Sequence, residues 1–230
     1  MRTSKSFKRL SKIWLENIDD LKYSTDYTGS NQLKVTPSLG KNAPDWRNIL
    51  NDPPLNSSSE TLQELKIVQA ASNKAIKSGG IVVQKILDVD KNMDGLFLKA
   101  AEVKHFTSYE KQIMETFYQH LHPVIINLKN KYDRPRPYQL GSLLDVPVKH
   151  ITTSTHHTAA FPSGHTAYGA MMARILSYTR PEKSMKFYDV QNEIADARVS
   201  QGVHYPSDNM ASIILVETIW KFFKNNVLDD

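Results

Sequence analysis

A chain of 230 residues, 40% of them hydrophobic, is long enough to bury one sizeable core, so a single domain over 1–230 is expected. The absence of cysteine excludes disulfides, thiolate metal sites, iron–sulfur clusters and thiol nucleophiles. A formal charge of +5 suits an anionic partner, but does not choose between nucleic acid, an acidic membrane surface and a phosphorylated small molecule.

Residues 5–22 place Phe7, Leu10, Trp14, Ile18 and Leu21 on one helical face, a stripe suited to packing on a core more than to lying on lipid. No apolar run follows the basic N-terminal residues, and no later stretch reaches bilayer length; a cytoplasmic location without a transmembrane segment is expected. Residues 23–57 carry Pro37, Pro44, Pro53 and Pro54 and read as an irregular strap or lid. Thr61 and Glu64 have capping-box spacing before a helix bearing Leu62, Leu65, Val68, Ala71 and Ala75. Thr107 and Glu110 repeat that spacing before Ile113, Phe117, Leu121, Val124 and Leu128, in a helix expected to kink or restart at Pro123 and to end near Lys129. Helical patterns follow at 164–179, 182–200 and 206–226, punctuated by Pro181, Gly202 and Pro206. No strand-like alternation competes, and the expected fold class is all-α, an antiparallel helical bundle.

Three short segments carry chemistry. Lys129 to Pro137 reads KNKYDRPRP, where the prolines turn Arg136 off the helical path, so that it and Lys129 can converge. Taken alone, this is equally a solvated basic turn. Phe161 to His165 reads FPSGH: Ser163 suits an N-cap, Gly164 admits a ligand to a helix N-terminus, and His165 would face a bound anion. Arg198 to Asp208 reads RVSQGVHYPSD, and Asp208, in the first turn after Pro206, can reach back to His204. A carboxylate on one imidazole nitrogen leaves the other free to attack.

Together, Lys129, Arg136-Pro137, Ser163-Gly164-His165, Arg198, His204 and Asp208 resemble the type 2 phosphatidic acid phosphatase and vanadium haloperoxidase superfamily. In size the chain is most similar to bacterial class A non-specific acid phosphatases. Ala197 departs from the serine that many members have beside the arginine. The resemblance covers residues 129–208 and implies a helical bundle of the acid phosphatase type. It implies that His204 attacks phosphorus, that Asp208 orients it, and that His165 is the general acid. Lys129, Arg136, Ser163, Gly164 and Arg198 would then bind the substrate phosphate. It also implies a metal-independent hydrolysis of phosphate monoesters, with a small-molecule ester as partner, no nucleic acid and no cofactor. Three alternatives stay open: a haloperoxidase, in which vanadate is the cofactor; a lipid phosphate phosphatase in peripheral contact with a membrane; and a non-catalytic phosphate-binding or nucleic-acid-binding protein that exploits the basic charge. Substrate identity and homo-oligomer formation are not fixed by these residues.

Overall fold

The computed structural model describes residues 18–23, 44–153 and 156–228. Phe7, Leu10 and Trp14, and most of the expected strap, lie outside them. Ile18–Asp20 is a short 3-10 turn, so the helix expected over 5–22 does not continue through its last residues. Ile18 and Leu21 are buried nonetheless, in a cluster with Leu65, Val68, Leu140, Val146 and Tyr205.

The longer helices are α1 (Ser59–Lys77), α2 (Gly80–Lys91), α3 (Met93–Ala101), α4 (Ser108–Tyr132), α5 (Pro137–Gly141), α6 (Gly164–Thr179), α7 (Ser184–Ser200) and α8 (Pro206–Phe223). No strand occurs among the described residues, and no helix there is long and apolar enough to cross a membrane.

The capping box expected at Thr61 is not formed. Ser58 caps α1 by accepting the N–H of Thr61, and Glu64 is turned inward to other partners. The second expectation holds: Thr107 and Glu110 exchange their hydrogen bonds at the start of α4. Glu110 also receives Arg180 at 2.6 and 2.9 Å, which fastens the start of α4 to the end of α6 and draws the carboxyl down to about 2. α4 runs unbroken past Pro123 and ends three residues beyond Lys129, because its apolar face is committed to the core along its whole length.

α6 is central. Its small residues allow close approach, and a Cβ on Gly169 would come within 2.9 Å of Ile194 on α7. Short connections at 180–183 and 201–205 turn the chain back, so that α6, α7 and α8 pack on one another. Phe117, Trp220 and Phe223 meet edge-on or stacked at the far end of this core.

Gly202 ends α7 at φ +80, a conformation that favours glycine. A Cβ there would lie 2.5 Å from the carbonyl oxygen of Lys149, and two residues further on the Ile151 N–H donates to Gln201 O. Gly202→Ala is expected to cost about 2 kcal/mol or more in denaturant unfolding, from strain added to a backbone clash. A change below about 0.5 kcal/mol would contradict this reading of the turn.

Candidate active site

Pro206 starts α8 and places Asp208 in its first turn, fully buried. Asp208 Oδ2 accepts the Tyr205 N–H at 2.9 Å and faces His204 Nδ1 at 3.2 Å. Its other oxygen accepts Arg134 Nη1 at 2.7 Å. Arg136 Nη1 stands 2.8 Å from His204 Nε2. A guanidinium has only donors, so Nε2 accepts and the ring proton sits on Nδ1, towards Asp208. The imidazole is therefore neutral, with its lone pair turned to the cations.

Each of those cations is buried. Arg136, extended ahead of α5, donates from Nε to Thr158 O and from Nη1 to Val203 O, both at 2.8 Å. Lys129, in the last turn of α4, donates to Ala159 O. Arg198, in the last turn of α7, donates through Nη1 to Asp90 of α2. Its Nε and Nη2 are buried without a hydrogen-bond partner, and such donors are costly unless an anion engages them.

Burial and mutual repulsion act on all of them. Loss of water, then the charge of Arg136, holds the Lys129 ammonium well below its usual pKa. Burial is also the main cause that brings Arg198 down to about 10, with Asp90 opposing. His204 is pushed well below the ordinary 6.5, first by burial and then by Arg136, Lys129, Arg198 and His165. The charges of four side chains thus act on one ring, and Arg136 is in direct contact with it.

Ser163 caps α6: its hydroxyl accepts the Thr166 N–H at 3.4 Å and donates to Thr166 Oγ1 at 3.0 Å. The Ser163 N–H reaches Asp208 O at 3.2 Å, joining the starts of α6 and α8. A Cβ on Gly164 would meet nothing within 4 Å, so the first turn of α6 is open on that side. His165 follows, its Nε2 3.2 Å from Asp90 Oδ1. Burial lowers the His165 pKa, the hydrogen bond to Asp90 opposes this, and Arg198 adds to the lowering.

The sequence-predicted residues thus come together on the ends of α4, α6, α7 and α8 and, for Arg136 and His204, on the stretches just ahead of α5 and α8. Three charged residues were missed. Arg134 stands in the same basic segment as Lys129 and Arg136, which was the one signal that could have drawn attention to it. Glu64 was read as a cap. Asp90 gave no signal, since nothing in its local spacing points to a histidine and an arginine far along the chain.

The PAP2 superfamily model matches residues 117–228. This segment, similar to PAP2, is just under half of the chain. It contains every sequence-predicted site residue, whereas Glu64 and Asp90 lie outside it. The non-specific acid phosphatase of Salmonella typhimurium is 35% identical over 80 residues, which are 35% of this chain and 32% of that protein. A second non-specific acid phosphatase, from Providencia stuartii, is 33% identical over 87 residues, 38% of this chain and 35% of that protein. The chain spans about a third of the length of the curated relatives it matches. The transmembrane PAP2 type phosphatidylglycerolphosphate phosphatase of Bacillus subtilis superposes with a TM-score of 0.50 at 14% identity, covering 74% of this chain and 89% of that one. The fold is the helical PAP2 fold.

Asp90→Asn removes the carboxylate that supports a proton on His165. The His165 titration, followed by NMR of 15N-labelled histidine, is expected to move to lower pH, because burial and Arg198 then act unopposed. An unchanged titration would show that Asp90 serves Arg198 alone.

Proposed function

We propose that the protein is a metal-independent phosphatase that hydrolyses phosphate monoesters through a phosphohistidine on His204. The observation that carries this is a buried, neutral His204 with its proton on the Asp208 side. Its Nε2 lone pair faces Arg136 Nη1, and the charges of Lys129 and Arg198, the latter with two unpaired donors, also act on the ring. Phosphoryl transfer spreads negative charge over the equatorial oxygens, and fixed cations in a water-poor site answer that charge. The relatives named non-specific acid phosphatases support the same reading.

In the first step Nε2 of His204 forms a bond to phosphorus as the ester P–O bond breaks. The electron pair leaves on the alcohol oxygen, which takes a proton from cationic His165. His204, still protonated on Nδ1, becomes a cation facing Asp208. In the second step neutral His165 takes a proton from water as the water oxygen attacks phosphorus. The P–N bond breaks, its electron pair returns to Nε2, and phosphate leaves with His165 again protonated. Gly164 and the start of α6 offer backbone N–H groups to the same oxygens.

The free enzyme needs His204 neutral and His165 protonated. His204 titrates well below 6.5 and sets an acid limb far to the low side; His165 also titrates below 6.5 and loses its proton as pH rises through its lowered pKa. The kcat/KM profile is therefore expected to peak on the acid side of pH 6.5. An optimum above neutrality would contradict the assignment of acid and base.

The test is phosphate release from p-nitrophenyl phosphate and an alkyl phosphate, with chelator present. Wild type is expected to turn over both. His204→Ala is expected to lose about a thousandfold or more. His165→Ala should lose about a hundredfold more on the alkyl ester, whose poor leaving group needs the proton. Activity abolished by chelator would overturn the metal-independent mechanism. Equal losses on the two esters in His165→Ala would overturn the acid role.

A further inference from the structure

Glu64 lies on α1, outside the PAP2 segment, with its side chain nine-tenths buried. Its Oε1 accepts the Ser207 N–H at 2.6 Å, and its Oε2 accepts Ser207 Oγ at 2.7 Å and Arg134 Nη2 at 3.1 Å. The first N–H groups of a helix have no acceptor of their own, so Glu64 caps α8 from a different helix. On its other side Arg134 donates to Asp208 Oδ1 at 2.7 Å and to Ser207 Oγ at 2.8 Å, its guanidinium 3.9 Å from the centre of the Tyr205 ring. A continuous buried chain runs from His204 through Asp208 and Arg134 to Glu64.

The formal charges along that chain suggest a purpose. Arg134 and Asp208 alone sum to zero, and a buried arginine on one carboxylate oxygen weakens what the other oxygen offers His204. A second carboxylate on the same guanidinium leaves the trio with one net negative charge. That charge matters most when His204 becomes cationic, because Lys129, Arg136 and Arg198 all oppose a further positive charge there.

We infer that Glu64 is a positioning residue that acts through Arg134 on Asp208, fixing the carboxylate against His204 and returning to the dyad the negative charge that Arg134 removes. The effect on rate rests on the phosphatase reading; the effect on the His204–Asp208 hydrogen bond does not.

The test uses Glu64→Gln in the full chain, which keeps side-chain shape and removes the charge. The His204 Nδ1–H resonance, assigned in 15N-histidine-labelled protein, is expected to move upfield as the bond to Asp208 weakens. The kcat on p-nitrophenyl phosphate should fall about tenfold or more, in the range typical of residues that orient a reacting group. Inhibition by inorganic phosphate should stay within about twofold, since Glu64 does not reach the cations that hold it. In an Asp208→Asn background the same substitution should change kcat by less than about twofold, because the path to His204 is already cut. Ser207→Ala keeps the carboxylate and loses only the hydroxyl bridge; it is expected to lower the thermal midpoint and leave the Nδ1–H resonance in place.

An unmoved resonance in Glu64→Gln, full additivity with Asp208→Asn, or an equal shift in Ser207→Ala would overturn the inference and reduce Glu64 to a staple between α1 and α8. A wild type without turnover would overturn the phosphatase reading instead, and the resonance alone would then decide the role of Glu64.

Discussion

Like charge packed around a buried imidazole is the constraint on which the rest of the site depends. Lys129, Arg136, Arg198 and His165 all act on His204, and burial denies them the water that would screen them. Two unit charges 4 Å apart cost about 4 kcal/mol at the effective dielectric of such a site, so the arrangement persists only with counterweights. The protein supplies them from several directions. Carbonyls of Thr158, Ala159 and Val203 hold Arg136 and Lys129, while Asp90 and Asp208 hold Arg198 and the two histidines. The compensation is incomplete at Arg198, where two donors stay unpaired. In the proposed function an arriving phosphate group completes it, which would tie binding energy to the chemistry the cations perform.

The division of labour along the chain is uneven. The PAP2 segment carries the imidazoles and the cations, on the ends of α4, α6, α7 and α8. The helices before it carry carboxylates: Glu64 on α1 and Asp90 on α2. One reaches His204 through Arg134 and Asp208; the other touches His165 and Arg198 directly. A site of this charge depends on both halves, since helices bearing only its cations would repel one another.

The same division explains what could be read from sequence. Ser163-Gly164-His165 and His204 with Asp208 were legible because a helix start fixes their relations within a few residues. The boundaries of α6 and α8 were legible for the same reason, through Ser163 and Pro206. Glu64 was misread because capping-box spacing is degenerate: Ser58, three residues before Thr61, satisfies the same N–H and frees Glu64 for Ser207 and Arg134. Asp90 was invisible because its partners lie 75 and 108 residues away. α4 runs through Pro123 for a tertiary reason that no local rule contains, the burial of its whole apolar face.

The central claim is that His204, neutral and oriented by Asp208, forms a bond to phosphorus. Rapid acid-free quenching of the enzyme during turnover of a 32P-labelled ester, followed by peptide mapping, tests it most directly. The account predicts an acid-labile, base-stable label on the peptide containing His204 and none in His204→Ala. An acid-stable label on a serine, or steady turnover with no labelled protein at any quench time, would contradict it.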